Sequence, residues 1–468
     1  MLPLAERLQR DGHSVSLYFA DSNQHRLSVT VGNIGGDHAT NTNVPSQTVG
    51  PPANLVWHLE FRPRHMMPAW DAVMNAAKLS SNTGNLEGVM NEQWDLIFVD
   101  ALFCIDGIAL AWRHHDSLVQ VHTGLMHSPH TTGLSLQQPI AATIPAFPSH
   151  RTIFNDHRTL RHRLLSLLLH AEMQLIWDFV LQRKLRDVLS QLKLVDSFSW
   201  AEHYERTLFT FYDYPDTAGV VAPITMETIA TAECDNSVTE TVDRLPGSFH
   251  DFVNKRTSRG TVLIAFGSQV NWGSAPSRIV SAFLTSIEFL GEFQFIWSYN
   301  GPPLPNAPHN LLTASWLPQS ALLRHNRTML FVGHGGMKSV KESLCSGTPS
   351  VLMPLFAEQL HNAWLLHRHG CARVLNKQTI TNQSLSLLFK TILNSHREFV
   401  SNCKRIQAMW MDQPIRPLDR ASFWVKRLLL RKRKLSKWLR PRGVTVVTAV
   451  QPSTAAVLSA VLIVKMLA

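Results

Sequence analysis

The stretch Met329–Gln359, MLFVGHGGMKSVKESLCSGTPSVLMPLFAEQ, decides how this chain is read. An apolar run, Met329–Val332, leads into glycines at 333, 335 and 336 and then into a helix-compatible segment opening near Met337. In an open parallel sheet the ligand lies beyond the carboxyl ends of the strands, where loops turn into helices. Free backbone amides at a helix start, at the positive end of its dipole, suit a diphosphate. His334 and Ser339 can add hydrogen bonds to the same oxygens, and Glu342, one turn further in, is placed to accept from a ribose diol. A ligand-free strand-to-helix turn would use many of the same residues, so the neighbours decide. Upstream, SWLPQ (Ser315–Gln319) offers the indole of Trp316 for a planar base and the amide of Gln319 to read its edge. Downstream, FAEQLHNA (Phe356–Ala363) carries Glu358 and Gln359, which can hold sugar hydroxyls. Together these residues form a complete nucleotide-sugar site: base, ribose, diphosphate and hexose, in chain order.

Working outward, GTVLIAFGS (Gly260–Ser268), FQFIWSY (Phe293–Tyr299) and SVLMPLF (Ser350–Phe356) read as further buried strands separated by helical sequence. The first half repeats the pattern more faintly. A helix at the start, with Leu4, Ala5 and Leu8 on one face, leads through Gly12-His13 into the strand SVSLYF; WDLIFVDALF (Trp94–Phe103) is a buried strand ending in an acid; and Thr159–Leu194 reads as helical. Alternating strands and helices predict an α/β fold with parallel sheets covered on both faces. A polar, turn-rich connection near residue 245 divides it into two doubly wound, Rossmann-like domains facing a cleft, spanning 1–245 and 246–415. Residues 416–442 read as closing helices and a basic segment.

The chain has 468 residues, 45% of them hydrophobic, enough for two domains with large cores. Its net charge of +10 suggests nucleic acid until its distribution is examined. From Arg420 onward there are 11 Lys or Arg and no acid, leaving 33 bases against 34 acids before that point. The body is therefore near neutral, and the basic run reads as a headgroup-facing patch, not as a nucleic-acid groove. Residues 443–468, with the apolar stretch Val444–Leu467, form a candidate transmembrane anchor, long enough at about 20 residues although Gln451, Pro452 and Lys465 interrupt it. The five cysteines contain no C-x-x-C pair and indicate neither a disulfide scaffold nor a zinc framework. The 23 histidines show no matching metal-ligand pattern, so no metal is expected. Sequons at Asn326 and Asn382 matter only for a lumenal body.

With these residues in view, the chain resembles the UDP-glycosyltransferases, a family that includes the animal UDP-glucuronosyltransferases. The resemblance rests on Trp316, Pro318, Gln319, Phe331, His334, Gly336, Ser339, Glu342, Gly347, Pro349, Pro354, Phe356, Glu358, Gln359, Asn362 and Ala363 in the family's order and spacing. LAERLQRDGHSV (Leu4–Val15), FGS (Phe266–Ser268) and DQPIRPLDRASFWVKRLL (Asp412–Leu429) extend it along nearly the whole chain. It implies a glycosyltransferase-B fold, with a UDP-sugar co-substrate in the C-terminal domain and a small lipophilic acceptor in the N-terminal one. No metal or other cofactor is implied. Trp316 and Gln319 would take uracil; Ser268, His334, Gly336 and Ser339 the diphosphate; Glu342 the ribose; Glu358 and Gln359 the hexose, glucuronate or glucose. Lys338 departs from the small or amide residue usual at its position; its ammonium either strengthens phosphate binding or faces solvent, the latter being the expectation. Many animal relatives sit in the endoplasmic reticulum membrane with a lumenal body on a single C-terminal span, which agrees with the tail here.

The implied reaction is an inverting displacement at the anomeric carbon, with a histidine removing the acceptor proton and an aspartate orienting the imidazole. Asp100 matches the aspartate. The histidine would follow a first strand, itself preceded by a signal peptide, and none of the three occurs in these 468 residues; His13 lies in a turn and does not substitute for it. The favoured explanation is that the sequence is a fragment, with an N-terminally incomplete first domain, of an active enzyme whose true start carries signal peptide, strand and base; the other is a dyad-deficient relative that still binds UDP-sugar. Taken literally, the missing base predicts little or no turnover by this sequence, since general bases contribute about 10²- to 10⁴-fold. A non-catalytic UDP-sugar or lipophile binder, associating with itself or with active relatives, is the alternative reading, and an epimerase or lipid glycosyltransferase of the same fold is a further one.

Overall fold

The structure, a computed structural model, describes residues 2–19, 27–30, 90–100, 105–114, 118–122, 175–191, 207–213, 228–234 and 245–431 except 269 and 357, with a few single positions between them. Two parallel sheets dominate. The first has four strands in the order β3 (Ile97–Asp100), β4 (Leu118–His122), β5 (Phe209–Tyr212) and β6 (Thr228–Ala230). The second has six, in the order β12 (Ala372–Val374), β11 (Ser350–Leu352), β10 (Thr328–Gly333), β7 (Thr261–Ala265), β8 (Gln294–Ser298) and β9 (Leu311–Ala314). Every pairing within both sheets is parallel.

The central strands of the larger sheet form because their sequences suit burial on both faces. All five residues of β7, TVLIA, are buried. Such a strand gains nothing from period-two alternation, since helices cover both of its sides. The helices in chain order are α1 (Leu2–Arg10), α2 (Ile105–Arg113), α3 (Gln182–Gln191), α4 (Gly247–Val253), α5 (Ser277–Phe289), α6 (Gln319–Arg324), α7 (Met337–Ser346), α8 (Gln359–Arg368), α9 (Asn382–Asn394), α10 (His396–Met411) and α11 (Pro417–Arg431). Ile279, Ala282, Phe283, Ser286 and Ile287 make the buried stripe of α5, at helical spacing. With α9 it covers one face of the sheet around Trp272, Phe283 and Trp297, whose rings meet edge to face or tilted. The other face packs under α7, α8 and α10 through Val340, Leu344, Ala363, Ile406 and Trp410. Helix α7 stops at Gly347, whose φ of 70° supplies the left-handed turn a side chain would resist.

The last described helix returns to the first half. Ala421, Val425 and Leu428 of α11 share a core with Leu4 and Leu8 of α1 and with Phe209, Phe211 and Ile229. Trp57 of the first half joins the core of the larger sheet, its indole donating to the Asn271 carbonyl at 3.1 Å.

Two expectations change. The strand after Gly12 exists as β1 (Ser16–Phe19), but it pairs antiparallel with β2 (Leu27–Thr30) in a separate two-stranded sheet. A partner a few residues along the chain costs little loop entropy. The cysteines also hold a bridge the sequence did not suggest: Cys234 and Cys345 are joined across 111 residues, while Cys371 and Cys403 are free and buried. Of the helical stretch Thr159–Leu194, residues 176–181 form a π-helical turn leading into α3, and most of the remainder lies outside the described residues. The candidate anchor, 443–468, also lies outside them; among the described residues no helix is long and apolar enough to cross a membrane.

Candidate functional site

Strand order locates the site. From β7 the larger sheet runs outward through β8 and β9 on one side, and through β10, β11 and β12 on the other. The carboxyl ends of β7 and β10 therefore flank the switch point, where diverging loops leave a crevice. Phe266-Gly267-Ser268 leaves β7 and His334-Gly335-Gly336 leaves β10 at that place.

The imidazole of His334 lies between two glycines. A Cβ on Gly267 would come within 2.9 Å of its Cε1, and one on Gly336 still closer to its Nε2. Gly267 has a φ of 72°, so both space and backbone demand glycine. His334 Nδ1 is buried without a hydrogen-bond partner among the described residues. Burial lowers the His334 pKa to about 4, which keeps the ring neutral at pH 7. A neutral imidazole can donate one hydrogen bond to an anionic oxygen without carrying a buried charge.

The glycine loop is pinned from behind. Gly335 has a φ of 87°, and a Cβ there would lie 2.8 Å from the Gln359 carbonyl oxygen. The Asn362 amide, fully buried, donates to the Gly335 carbonyl at 2.9 Å. Gln359 is buried too, and its side-chain oxygen accepts from the amides of Leu355 at 2.8 Å and Phe356 at 3.1 Å. That oxygen holds the loop between β11 and α8. No side chain caps the start of α7, where Gly336 is the N-cap.

One turn into α7, Ser339 and Glu342 meet the amide of Gln319, which donates to Ser339 Oγ at 3.0 Å and to Glu342 Oε2. Burial raises the Glu342 carboxyl above its usual range, against the lowering effects of Gln319 and of Lys341, Arg324 and Lys338. Burial also raises Glu358, opposed by hydrogen bonds from its own backbone amide and that of Met337. Trp316 is 75% exposed on the loop before α6, and Ser268 and Lys338 are exposed.

The residues singled out from the sequence thus converge at one crevice, with Ser268, His334, Gly336, Ser339, Glu342, Gln319, Glu358 and Gln359 on adjoining loops and helix ends. Asp100 stands apart, ending β3 in the other sheet, and its side chain lies outside the described residues. Sequence reasoning missed Gly267 as the seat of His334, although a glycine at a strand end was the available signal. It also matched Asn362 without seeing its bond to Gly335. Among the described residues no cluster of His, Cys, Asp or Glu could hold a metal ion.

Two parallel sheets with covering helices, the larger with its strand order reversing at a switch point, define a glycosyltransferase-B fold. Solved structures share it: the glycotransferase of kitacinnamycin, with a TM-score of 0.53, 16% identity and coverage of 82% of this chain and 86% of that one, and spinosyn forosaminyltransferase, with a TM-score of 0.52, 18% identity and coverage of 76% and 82%. The family model described as UDP-glucoronosyl and UDP-glucosyl transferase matches residues 93–459, and the chain belongs to that family. UDP-glucuronosyltransferase 1A6 of Mus musculus is 27% identical over 395 residues, 84% of this chain and 70% of the relative. UDP-glucuronosyltransferase 1A10 of Homo sapiens is 28% identical over 305 residues, 64% of this chain and 54% of the relative. Against several human relatives the match therefore spans about half of their length.

Proposed function

We propose that the protein binds a UDP-hexose at the switch-point crevice and transfers the hexose, with inversion, to a hydroxyl of a small lipophilic acceptor held by the first half. The observation that carries this reading is the seat of His334 between Gly267 and Gly336, beside the uncapped start of α7. A diphosphate there would take hydrogen bonds from the imidazole, Ser268, Ser339 and the helix amides. Trp316 would stack on uracil, with Gln319 at the base and Glu342 at the ribose; Glu358 and Gln359 would meet the hexose. Glucuronate or glucose is the expected donor, in line with the relatives' names. Asp100, at the carboxyl end of β3, is the candidate for the carboxylate that orients a general base, and no base histidine is assigned to it within residues 1–468. The Cys234–Cys345 bridge supports folding in an oxidising lumen, as expected for a body in the endoplasmic reticulum held by residues 443–468.

Calorimetry with UDP, followed by product analysis with labelled UDP-glucose and UDP-glucuronate, tests the proposal. UDP should bind, and His334→Ala should weaken binding by about tenfold, as expected for loss of a charge-assisted hydrogen bond. No binding at millimolar UDP sinks the reading. Binding without transfer to any acceptor favours the non-catalytic alternative.

A further inference from the structure

Helix α7 carries the candidate donor site on one face and touches the first half of the molecule on another. Lys341 Nζ lies 2.7 Å from both carboxylate oxygens of Asp213, the residue that follows β5. One turn along the same helix, Cys345 is bonded to Cys234, which lies four residues beyond the end of the adjacent strand β6. The spacing matches: residues i and i+4 of a helix rise about 6 Å, and neighbouring strands lie about 4.8 Å apart. Both side chains of the ion pair are mostly buried, at 24% and 18% exposure. Tyr212, Ala230, Ala232 and Cys234 share one apolar core with Val340 and Leu344 of α7. The carboxyl ends of two strands of the first sheet are thus fastened to the helix that carries Ser339 and Glu342.

We propose that Lys341 and the Cys234–Cys345 bridge are the two points of a clamp that positions α7 against the first sheet, one electrostatic and one opened by a dithiol. In the opening step a dithiol's thiolate attacks Cys345 Sγ, which belongs to the less buried of the two residues. The S–S bond breaks, and Cys234 leaves as a thiolate and takes a proton. The second thiol then displaces Cys345, giving two cysteine thiols and an oxidised dithiol, a transfer of two electrons and two protons. Release loosens α7 from the first sheet, while other contacts between the halves persist, among them Arg416, just before α11, paired with Glu233 at 2.7 Å and Trp57 bonded to Asn271. The consequence for donor affinity rests on the donor-site reading above.

The test uses the full oxidised chain with UDP calorimetry and amide hydrogen exchange. Lys341→Met and Asp213→Asn should each weaken UDP binding about fivefold, the low end of coupling between sites, and speed exchange at Phe209–Tyr212. The charge-exchanged double variant, Lys341→Asp with Asp213→Lys, should recover most of both, which a merely local packing defect would not do. Dithiothreitol should act as the single variants do, and Cys234→Ser with Cys345→Ser should match the reduced protein and ignore further reductant. Unchanged affinity and exchange in the reduced chain and in Lys341→Met overturn the clamp, as does failure of the double variant to recover. If the oxidised chain binds no UDP, the donor-site reading fails by itself, and exchange alone judges the clamp: faster exchange at Phe209–Tyr212 on reduction supports it, and unchanged exchange overturns it.

Discussion

The two sheets are built on the same principle and end differently. Both are parallel, but the six-stranded sheet reverses direction between β7 and β10, whereas the four-stranded one runs β3-β4-β5-β6 in sequence order. The reversal opens a crevice that loops can line, and the candidate donor residues gather at it. Along the described part of the first sheet no such reversal occurs, and Asp100 closes an edge strand. A parallel sheet becomes a binding site where its winding changes direction, so residue chemistry and strand order must coincide.

The largest expected effect separates two glycines of similar backbone. Gly335, at the crevice, and Gly12, after α1, have φ values of 87° and 91°. A Cβ on Gly335 would press on the Gln359 carbonyl, whereas one on Gly12 would meet nothing within 4 Å. Gly12→Ala should therefore cost only the backbone strain, about 1 kcal/mol. Gly335→Ala adds a backbone collision and should cost about 3 kcal/mol or more, with loss of detectable UDP binding. Denaturant melts and calorimetry on both variants decide. Equal costs would mean that the crevice is no more tightly built than a surface turn.

The same contrast explains what could be read from sequence. Strands β7 and β10 were visible because they are uninterrupted buried runs closed by glycines, and the crevice residues cluster within a few tens of positions of one another. The pairing of β1 was not visible, because four residues with period-two character fit a hairpin as well as a sheet. Contacts made across the fold left no local trace: Lys341 and Asp213 stand 128 positions apart, and the bridged cysteines 111. Nor does residue type reveal that Gln319, suited to a base edge, already donates to Ser339 and Glu342. A ligand would have to compete for that amide or take it as the positioned group it already is.

Hydrogen exchange should show the next difference. β7 and β10 are each paired on both sides, so their amides should exchange only through global opening. β3 has one neighbour among the described residues, and Ile97–Asp100 should exchange faster by at least about tenfold through local opening. Uniform protection across β3 and β7 would show that the edge is covered in solution.

Protonation gives a smaller and more specific test. Burial lowers both His334 and His361, in the second half, to about 4, against an ordinary value near 6.5. Between those values the unfolded chain binds more protons, so stability should be complete above pH 6.5 and fall as the pH drops towards 4. A loss on the order of 1–2 kcal/mol from each histidine between pH 7 and pH 5 is expected. His334→Gln should remove part of that slope. A pH-independent melt over this range would mean that His334 is solvated and not seated between its glycines.

The smallest effect falls where the chain's last described helix meets its first. Asp11, at the end of α1, accepts hydrogen bonds from Lys426 and Ser422 of α11, both at 2.9 Å, and from Arg7 at 3.3 Å. The Lys426 bond contributes most to lowering the carboxyl to about 2, with Ser422 and Arg7 adding to it against the cost of burial. The stability it confers is present above about pH 4 and is lost as the pH falls towards 2. Lys426 and Arg7 are about 40% exposed, so solvent screens the pairs and the gain at neutral pH is slight. Asp11→Asn should leave the crevice and UDP binding unchanged and flatten only the acid limb of the stability curve. A change in UDP affinity would show that this seam is coupled to the donor crevice, and that the two halves differ less in their role than their strand orders suggest.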